Sequence, residues 1–222
     1  MNTNVNPSFA GKVALIGGAS RGIGAVTARA FADAGAAVVL AARDAKAMDS
    51  VAKDIQSVDG RVLAVTTDVG DASSVEQLVQ KTISAFGRLD AAFNNATDGP
   101  LPAPLADIDP ADFDRGVRTN IRGTFLGMKY QIPAMLQSGG GAIVNMASLA
   151  GLNGVANLAA YVAGKAGIIG LTKVAAIDYA EQGIRVNVVA PGPILTHHLE
   201  KAGMEVQRQV GCVNAHASHR EG

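Results

Sequence analysis

The chain has 222 residues, of which 48% are hydrophobic and 17% charged, and its 19 Lys and Arg balance its 19 Asp and Glu. That is enough apolar material for one domain with a sizeable core, and it excludes a disordered chain. A net charge of zero with no basic run argues against a nucleic-acid partner, and no basic amphipathic stretch points to a membrane surface.

The start, MNTNVNPSFAGK, has no charged opening followed by an apolar run, so no signal peptide is expected. KVALIG, Lys12 to Gly17, is a short apolar run ending in glycines and reads as a buried strand. A helix follows to about Ala34, with Gly35 as its stop signal. AAVVLAAR forms a second strand ending near Arg43, a helix runs from about Ala45 to Val58, and RVLAVTTD is a third strand. The next helix begins near Asp71, with Asp71 and Ser73 as cap candidates, and RLDAAFNNA supplies the fourth strand. TDGPLPAPLADIDP is a proline-rich rim loop. Asp109 with Pro110 opens a long helix that Pro133 is expected to kink or end. GAIVNMAS is strand five, Leu158 to Gln182 a helix closed by Gly183, and IRVNVVAPG strand six.

Apolar strands alternating with helices imply an α/β fold, a single doubly wound parallel sheet of Rossmann type. There is no internal repeat, no domain linker and no apolar run that spans a bilayer, so one domain over 1–222 is expected. The single cysteine, Cys212, rules out an intrachain disulfide framework and fits a cytoplasmic chain.

Strand one runs into GGASRGIG, with Gly18, Gly22 and Gly24 spaced G-x-x-x-G-x-G. Between a strand and a helix, such glycines let backbone N–H groups approach a pyrophosphate at the positive end of the helix. Readers of an unphosphorylated ribose place a carboxylate at the end of strand two. Ala42 stands there, followed by Arg43, while Arg21 lies in the glycine loop. Two guanidinium groups with no carboxylate to repel a 2′-phosphate favour NADP(H); the other reading is two solvated surface arginines.

Tyr161 and Lys165 are four residues apart, on one face of a helix. A nearby ammonium favours the phenolate, which suits Tyr161 to exchange a proton with an alcohol or carbonyl oxygen. Ser148 ends strand five, and the carboxyl ends of such strands border the active crevice.

Together the glycine loop, Ser148 and Tyr161-x-x-x-Lys165 resemble the short-chain dehydrogenase/reductase family. The resemblance covers about Lys12 to Thr196. It implies hydride transfer between nicotinamide and a carbonyl or secondary alcohol. Tyr161 is then the acid/base, Lys165 tunes it and binds ribose, and Ser148 orients the substrate oxygen. It assigns Gly18, Ser20, Arg21, Gly22, Ile23 and Gly24 to the cofactor loop and Arg43 beside it. Asp68 and Val69 would contact adenine; Asn95 and Ala96, from Asn94-Asn95-Ala96, would line the cofactor path. Pro191, Gly192, Ile194 and Thr196 would hold the nicotinamide amide. Asn120 matches a helix asparagine holding a water in the proton relay to Lys165; a buried polar residue fixing a helix kink is the competing reading, and both can hold. Gly17 replaces the family's threonine, and Thr97 replaces the glycine after Asn-Asn-Ala and is expected to crowd that turn. No metal is required, and His197 and His198 read as lid residues.

The family continues past this lid with Pro-x-x-Arg-x-Gly, a helix and a seventh strand, whereas 198–222 forms an atypical tail. If Ala215 to Arg220 are encoded GCC-CAT-GCG-TCG-CAT-CGG, the next frame reads Pro-Met-Arg-Arg-Ile-Gly. A frameshift just before Ala215 is therefore expected, or else a shortened natural variant, and the sheet is expected to lack its usual seventh strand. The helices bearing Asn120 and Tyr161 remain available for a homo-oligomer. The substrate expected is a small carbonyl or alcohol, of 3-oxoacyl-carrier-protein or sugar/cyclic-alcohol type. The competing expectation is an NADP(H)-binding pseudoenzyme with little turnover.

Overall fold

The computed structural model describes residues 8–194. Six strands form one parallel sheet: β1 (Val13–Gly17), β2 (Ala37–Ala42), β3 (Val62–Thr66), β4 (Ala91–Asn94), β5 (Gly141–Met146) and β6 (Ile184–Val189). Their order, β3-β2-β1-β4-β5-β6, winds outward from β1 and then restarts on its other side. The register runs Ala14↔Val38 toward β2 and Ala14↔Ala91 toward β4. The reversal at β1 and β4 opens a crevice at the carboxyl ends of the strands.

Both faces are covered. On one side α1 (Gly22–Asp33) and α2 (Ala45–Gln56) bury Ala25, Ala28, Met48, Val51 and Ile55 against Ile16, Val38 and Leu40. On the other, α3 (Ala72–Phe86), α5 (Gly123–Gln137) and α6 (Ala159–Tyr179) pack Leu78, Met128, Ile132, Met135 and Ala175 onto Leu15, Val39 and Ile143. β1 and β2 are buried at every position, as a central parallel strand requires. β6 alternates instead. Ile184 and Val186 are buried, whereas Arg185, Asn187 and Val189 are exposed, because among the described residues β6 is the outermost strand and is covered on one face.

Helix ends follow local chemistry. The Asp71 carboxylate caps α3 by accepting from Ser74 N–H, while Ser73 hydroxyl donates to Asp71 rather than capping. Asp109 caps α4 (Pro110–Val117), with Pro110 in its first turn. Gly87 and Gly183 adopt left-handed conformations that end α3 and the turn after α6. The expectation for Pro133 is corrected. The helix runs past it to Gln137, and the departure from α geometry is a π turn at Arg118–Arg122. By length and composition Ala159–Gln182 is apolar enough to cross a membrane, but it packs on β5 and β6 with Lys165 and Thr172 buried, as a core helix does.

A buried polar network joins the second half of the sheet to its helices. Asn94 Nδ2 donates to Gln131 Oε1 (3.1 Å) and to Asn145 Oδ1 (2.9 Å), and Gln131 Nε2 returns a bond to Asn94 Oδ1 (2.8 Å). Asn145 Nδ2 donates to Thr172 Oγ1 (3.0 Å), whose hydroxyl donates to Ile168 O (2.7 Å). The Asn94 amide lies so close to α5 that a Cβ on Gly127 would meet its Oδ1 at 2.8 Å. Among the described residues every buried side-chain N or O atom has a partner. Asn145→Ala strands Asn94 and should cost about 1–3 kcal/mol per unpaired group. Urea unfolding should show a lower midpoint with an unchanged slope; an unchanged midpoint would show that the network adds no stability.

Candidate active site

The glycine loop joins β1 to α1 by contacts that exclude side chains. Gly18 (φ 68°) donates its N–H to Ala41 O at 2.8 Å. A Cβ there would lie 2.9 Å from Ala96 N, and one on Gly24 would lie 2.2 Å from Gly18 O. Asn95 Nδ2 reaches Gly18 O at 3.4 Å, and Ile23 packs into the core beneath α1. Arg21 at the N-cap places no side chain on the first-turn amides, and no acid lies in that turn. The result is a backbone cradle at an uncapped positive helix end, which fits a phosphate group. At Gly17 a Cβ would make only ordinary contacts, 3.4 Å from Phe93 O. Beside it lies a cavity of about 20 Å³, lined also by Val69, Asn94, Ala96, Thr119, Gly123 and Thr124.

The two arginines differ from expectation. Arg21 pairs with Asp44 at 2.8 Å and Arg43 with Asp98 at 3.1 Å, so carboxylates do stand where none was foreseen. Ala42 does end β2. Ser20 lies with Arg21 in an open groove between α1 and α2. Asp68, beyond β3, bonds Gly70 N–H (2.9 Å) and Arg118 (2.9 Å). Burial opposes its ionisation, but the Arg118 guanidinium and that N–H outweigh it and hold the carboxyl below its usual range. Val69 packs against Gly123, where a Cβ would come within 2.9 Å of its Cγ2.

Ser148, Tyr161 and Lys165 do converge. Ser148 follows β5, its Oγ accepting from Ala150 N–H (3.2 Å), and its side chain is hydrogen-bonded to that of Tyr161. Lys165 is 1% exposed; its Nζ donates to Met146 O (2.9 Å) and lies 5.5 Å from the Tyr161 ring centroid. Burial depresses the Lys165 pKa to about 8. Burial also pushes the Tyr161 phenol above its ordinary value, and the Ser148 hydrogen bond opposes this only in part. Burial of the chain alone thus works against the phenolate that the sequence argument favoured. The arrangement presents a phenol and a hydroxyl side by side at the carboxyl end of the sheet, able to bond one substrate oxygen and to give it a proton.

Asn120 is fully buried in the π turn. Its Nδ2 donates to Gly116 O (2.9 Å) and Asp98 O (2.6 Å), and its Oδ1 accepts from Thr97 Oγ1 (2.8 Å). By taking the Gly116 carbonyl, the side chain occupies the acceptor that the α-helical N–H four residues on would use. The backbone slips to the wider register, with Gly123 N–H on Arg118 O. This is the kink role, and it leaves the water-holding role free to stand beside it. Thr97, where the family's glycine would stand, supplies the bond that orients Asn120. The turn packs on α6, where a Cβ on Gly164 would meet Asn120 Cβ at 3.0 Å.

After β6, Pro191 O accepts from Leu149 N–H (3.0 Å), a Cβ on Gly192 would lie 3.6 Å from Leu149 Cδ1, and Ile194 is exposed. Thr196, His197, His198 and the tail 198–222 lie outside the described residues. Sequence reasoning missed Gln131, Asn145, Thr172, Asp44 and Asp98. Polar residues at otherwise apolar core positions of strand five and two helices were the available signal for the first three; for the two acids there was none.

This chain belongs to the short chain dehydrogenase family, whose model matches residues 12–207. It is 39% identical over 196 residues to the cyclohexanol dehydrogenase of Acinetobacter sp. (strain SE19), covering 88% of this chain and 78% of that one. With the cis-4-hydroxycyclohexanecarboxylate dehydrogenase of Sinomonas cyclohexanicum it shares 43% over 185 residues, 83% of this chain and 74% of the relative. The crystal structure of levodione reductase superposes with a TM-score of 0.85 at 35% identity, over 91% of this chain and 78% of that one. Membership makes the chain an oxidoreductase of a family that uses a nicotinamide cofactor, and the dehydrogenases it is similar to act on small alcohols or ketones.

Two outcomes follow from the geometry. Thr97→Val strands the Asn120 carbonyl oxygen and should lower stability by about 1–3 kcal/mol, with Thr97→Ser restoring most of it; equal melting of both variants would show the bond idle. The second concerns Lys165, whose pKa is about 8 folded against 10.5 ordinarily. From pH 8 to 10.5 the unfolded chain binds more protons, so stability should rise with pH across that window. Measured against Lys165→Met by urea unfolding, the native chain should gain from pH 7 to pH 10; a constant difference would mean the ammonium is hydrated.

Proposed function

We propose that the chain interconverts an uncharged alicyclic ketone and its secondary alcohol with NADP(H). The carrying observation is the buried cluster in which Tyr161 is hydrogen-bonded to Ser148 with Lys165 beneath its ring. When bound, the nicotinamide supplies the hydride to the carbonyl carbon, or accepts it in the reverse direction. Tyr161 gives its phenolic proton to the carbonyl oxygen, so that C=O becomes CH–OH, and takes one back in oxidation. Ser148 holds the same oxygen and stabilises its developing charge. Lys165 sits where an ammonium steadies the phenolate that Tyr161 leaves behind.

Cofactor contacts follow the fit of the glycine cradle. Gly18, Ser20, Arg21, Gly22, Ile23 and Gly24 embrace the pyrophosphate. Arg21 and Arg43 face the 2′-phosphate, Asp68 and Val69 the adenine, and Asn95 and Ala96 the path between. Pro191, Gly192 and Ile194, with Thr196 beyond the described residues, take the nicotinamide side. Asn120 serves by shaping the π turn against the helix of Tyr161 and Lys165.

The substrate class rests on the rim. Leu101, Leu105, Leu149, Leu152, Val155 and Ile194 are exposed on the loops after β4, β5 and β6. The segments 99–106 and 149–158 contain no charged residue to hold a carboxylate or phosphate. The named substrates of the relatives, cyclohexanol and levodione, support the same class. Exposed Phe113, Phe125, Val174 and Ile177 on α4, α5 and α6 support a homo-oligomer, and the cysteine usage supports a cytoplasmic site of action.

The test is NADPH oxidation over a panel of cyclic ketones, beside Tyr161→Phe. Turnover should fall by about 10²- to 10⁴-fold in that variant while NADPH fluorescence still reports binding. Binding with no Tyr161-dependent turnover would instead mark a pseudoenzyme.

A further inference from the structure

The two guanidinium groups assigned to the 2′-phosphate are each held by an acid. Arg21 is paired with Asp44 (2.8 Å) and Arg43 with Asp98 (3.1 Å), so the four charges sum to zero around the place where a dianionic group would sit. The Arg43–Asp98 pair has a particular position. Arg43 follows β2 and Asp98 lies beyond β4, and between those strands runs β1 with the glycine loop at its end. Their ion pair therefore bridges the flanks of the cradle in which the adenosine half of a dinucleotide would lie.

We propose that Asp98 is a specificity-determining residue: it withholds Arg43 from the cofactor's ribose 2′-phosphate and so narrows the preference for NADP(H) over NAD(H). This rests on the reading above, that Arg43 faces the 2′-phosphate.

The two partners are unequally anchored. Asp98 is pinned: its Oδ1 accepts from Gly99 N–H (2.9 Å), Arg115 Nε stands 3.9 Å away, and its backbone oxygen takes Asn120 Nδ2 (2.6 Å). Its side chain is 25% exposed, against 64% for Arg43. Arg43 hangs on a long stem with one anchor and is the partner that can swing. The 2′-phosphate must compete with Asp98 for that guanidinium, whereas a ribose 2′-hydroxyl offers no comparable charge and leaves the pair intact. An exposed ion pair of this kind shifts an equilibrium by no more than about fivefold, so the effect is a trimming of selectivity rather than its reversal.

The test is a fluorescence titration of NADPH and NADH with the native chain, Asp98→Asn, Arg43→Ala and the double variant. Asp98→Asn keeps an acceptor for Gly99 N–H and leaves the carbonyl held by Asn120 in place. It should lower the NADPH Kd by about two- to fivefold, leave NADH binding unchanged, and lose this gain at high salt. In the Arg43→Ala background the same substitution should do nothing, since the partner it releases is gone. An equal gain in that background would mean that Asp98 repels the phosphate directly, and the inference falls. It falls also if Asp98→Asn leaves the NADPH Kd unchanged while Arg43→Ala raises it, although Arg43 then still reads the phosphate. If Arg43→Ala alters binding of neither cofactor, the reading of Arg43 as a 2′-phosphate contact fails; if the native chain binds NADH as tightly as NADPH, the NADP(H) reading itself fails.

Discussion

The side-chain amide of Asn94 sits between α5 and β5 with both its N–H groups and its oxygen bonded inside the protein. Gln131 and Asn145 meet it, and Asn145 passes the chain of bonds to Thr172 on α6. Hydrophobic packing tolerates small slides of a helix over a sheet, but a buried amide does not, because a shift that breaks one bond strands two polar groups. Asn95 and Ala96 follow β4, Ser148 follows β5, and Tyr161 and Lys165 stand in the first turns of α6 itself. The relative placement of the catalytic and cofactor loops follows from this one network.

The crevice is assembled from close approaches as much as from side chains. Gly24 lies on the carbonyl of Gly18 and Gly18 on the backbone of Ala96, each at a distance that excludes a Cβ, and Gly164 sits tightly on Asn120. The π turn belongs to the same construction. Thr97 orients the Asn120 amide, the amide captures the Gly116 carbonyl, and the widened turn settles against α6. The loop after β4 thus holds the π turn through two hydrogen bonds to Asn120, and the adjoining Asp98 reaches Arg43 through one ion pair. Lys165 is the expensive element. Its ammonium is buried with one carbonyl partner, and the chain bears that desolvation beside the Tyr161 ring.

Much of the fold was legible because its causes are local. Asp71 and Asp109 announce helix starts through their own short side chains, Gly35 and Gly183 announce ends through a backbone geometry other residues avoid, and the β-branched runs announce buried parallel strands. Tyr161 and Lys165 share a helix face by spacing alone. The misreadings have remote causes. Pro133 looked like the breaker because proline is the local signal, yet the helix departs from α geometry at Asn120, under the influence of Thr97. The arginines looked unopposed because their partners are 23 and 55 positions away.

By itself, then, the sequence determined the order and type of the elements, the glycine loop and the candidate set of Ser148, Tyr161 and Lys165, since these depend on neighbours along the chain. Tertiary structure alone decided which polar group meets which: the amide network under the sheet, the acids on Arg21 and Arg43, the threonine on Asn120, and a phenol whose ionisation burial opposes. Hydrogen bonds and ion pairs act over a few ångströms, and only the folded sheet brings residues so distant in sequence within that range.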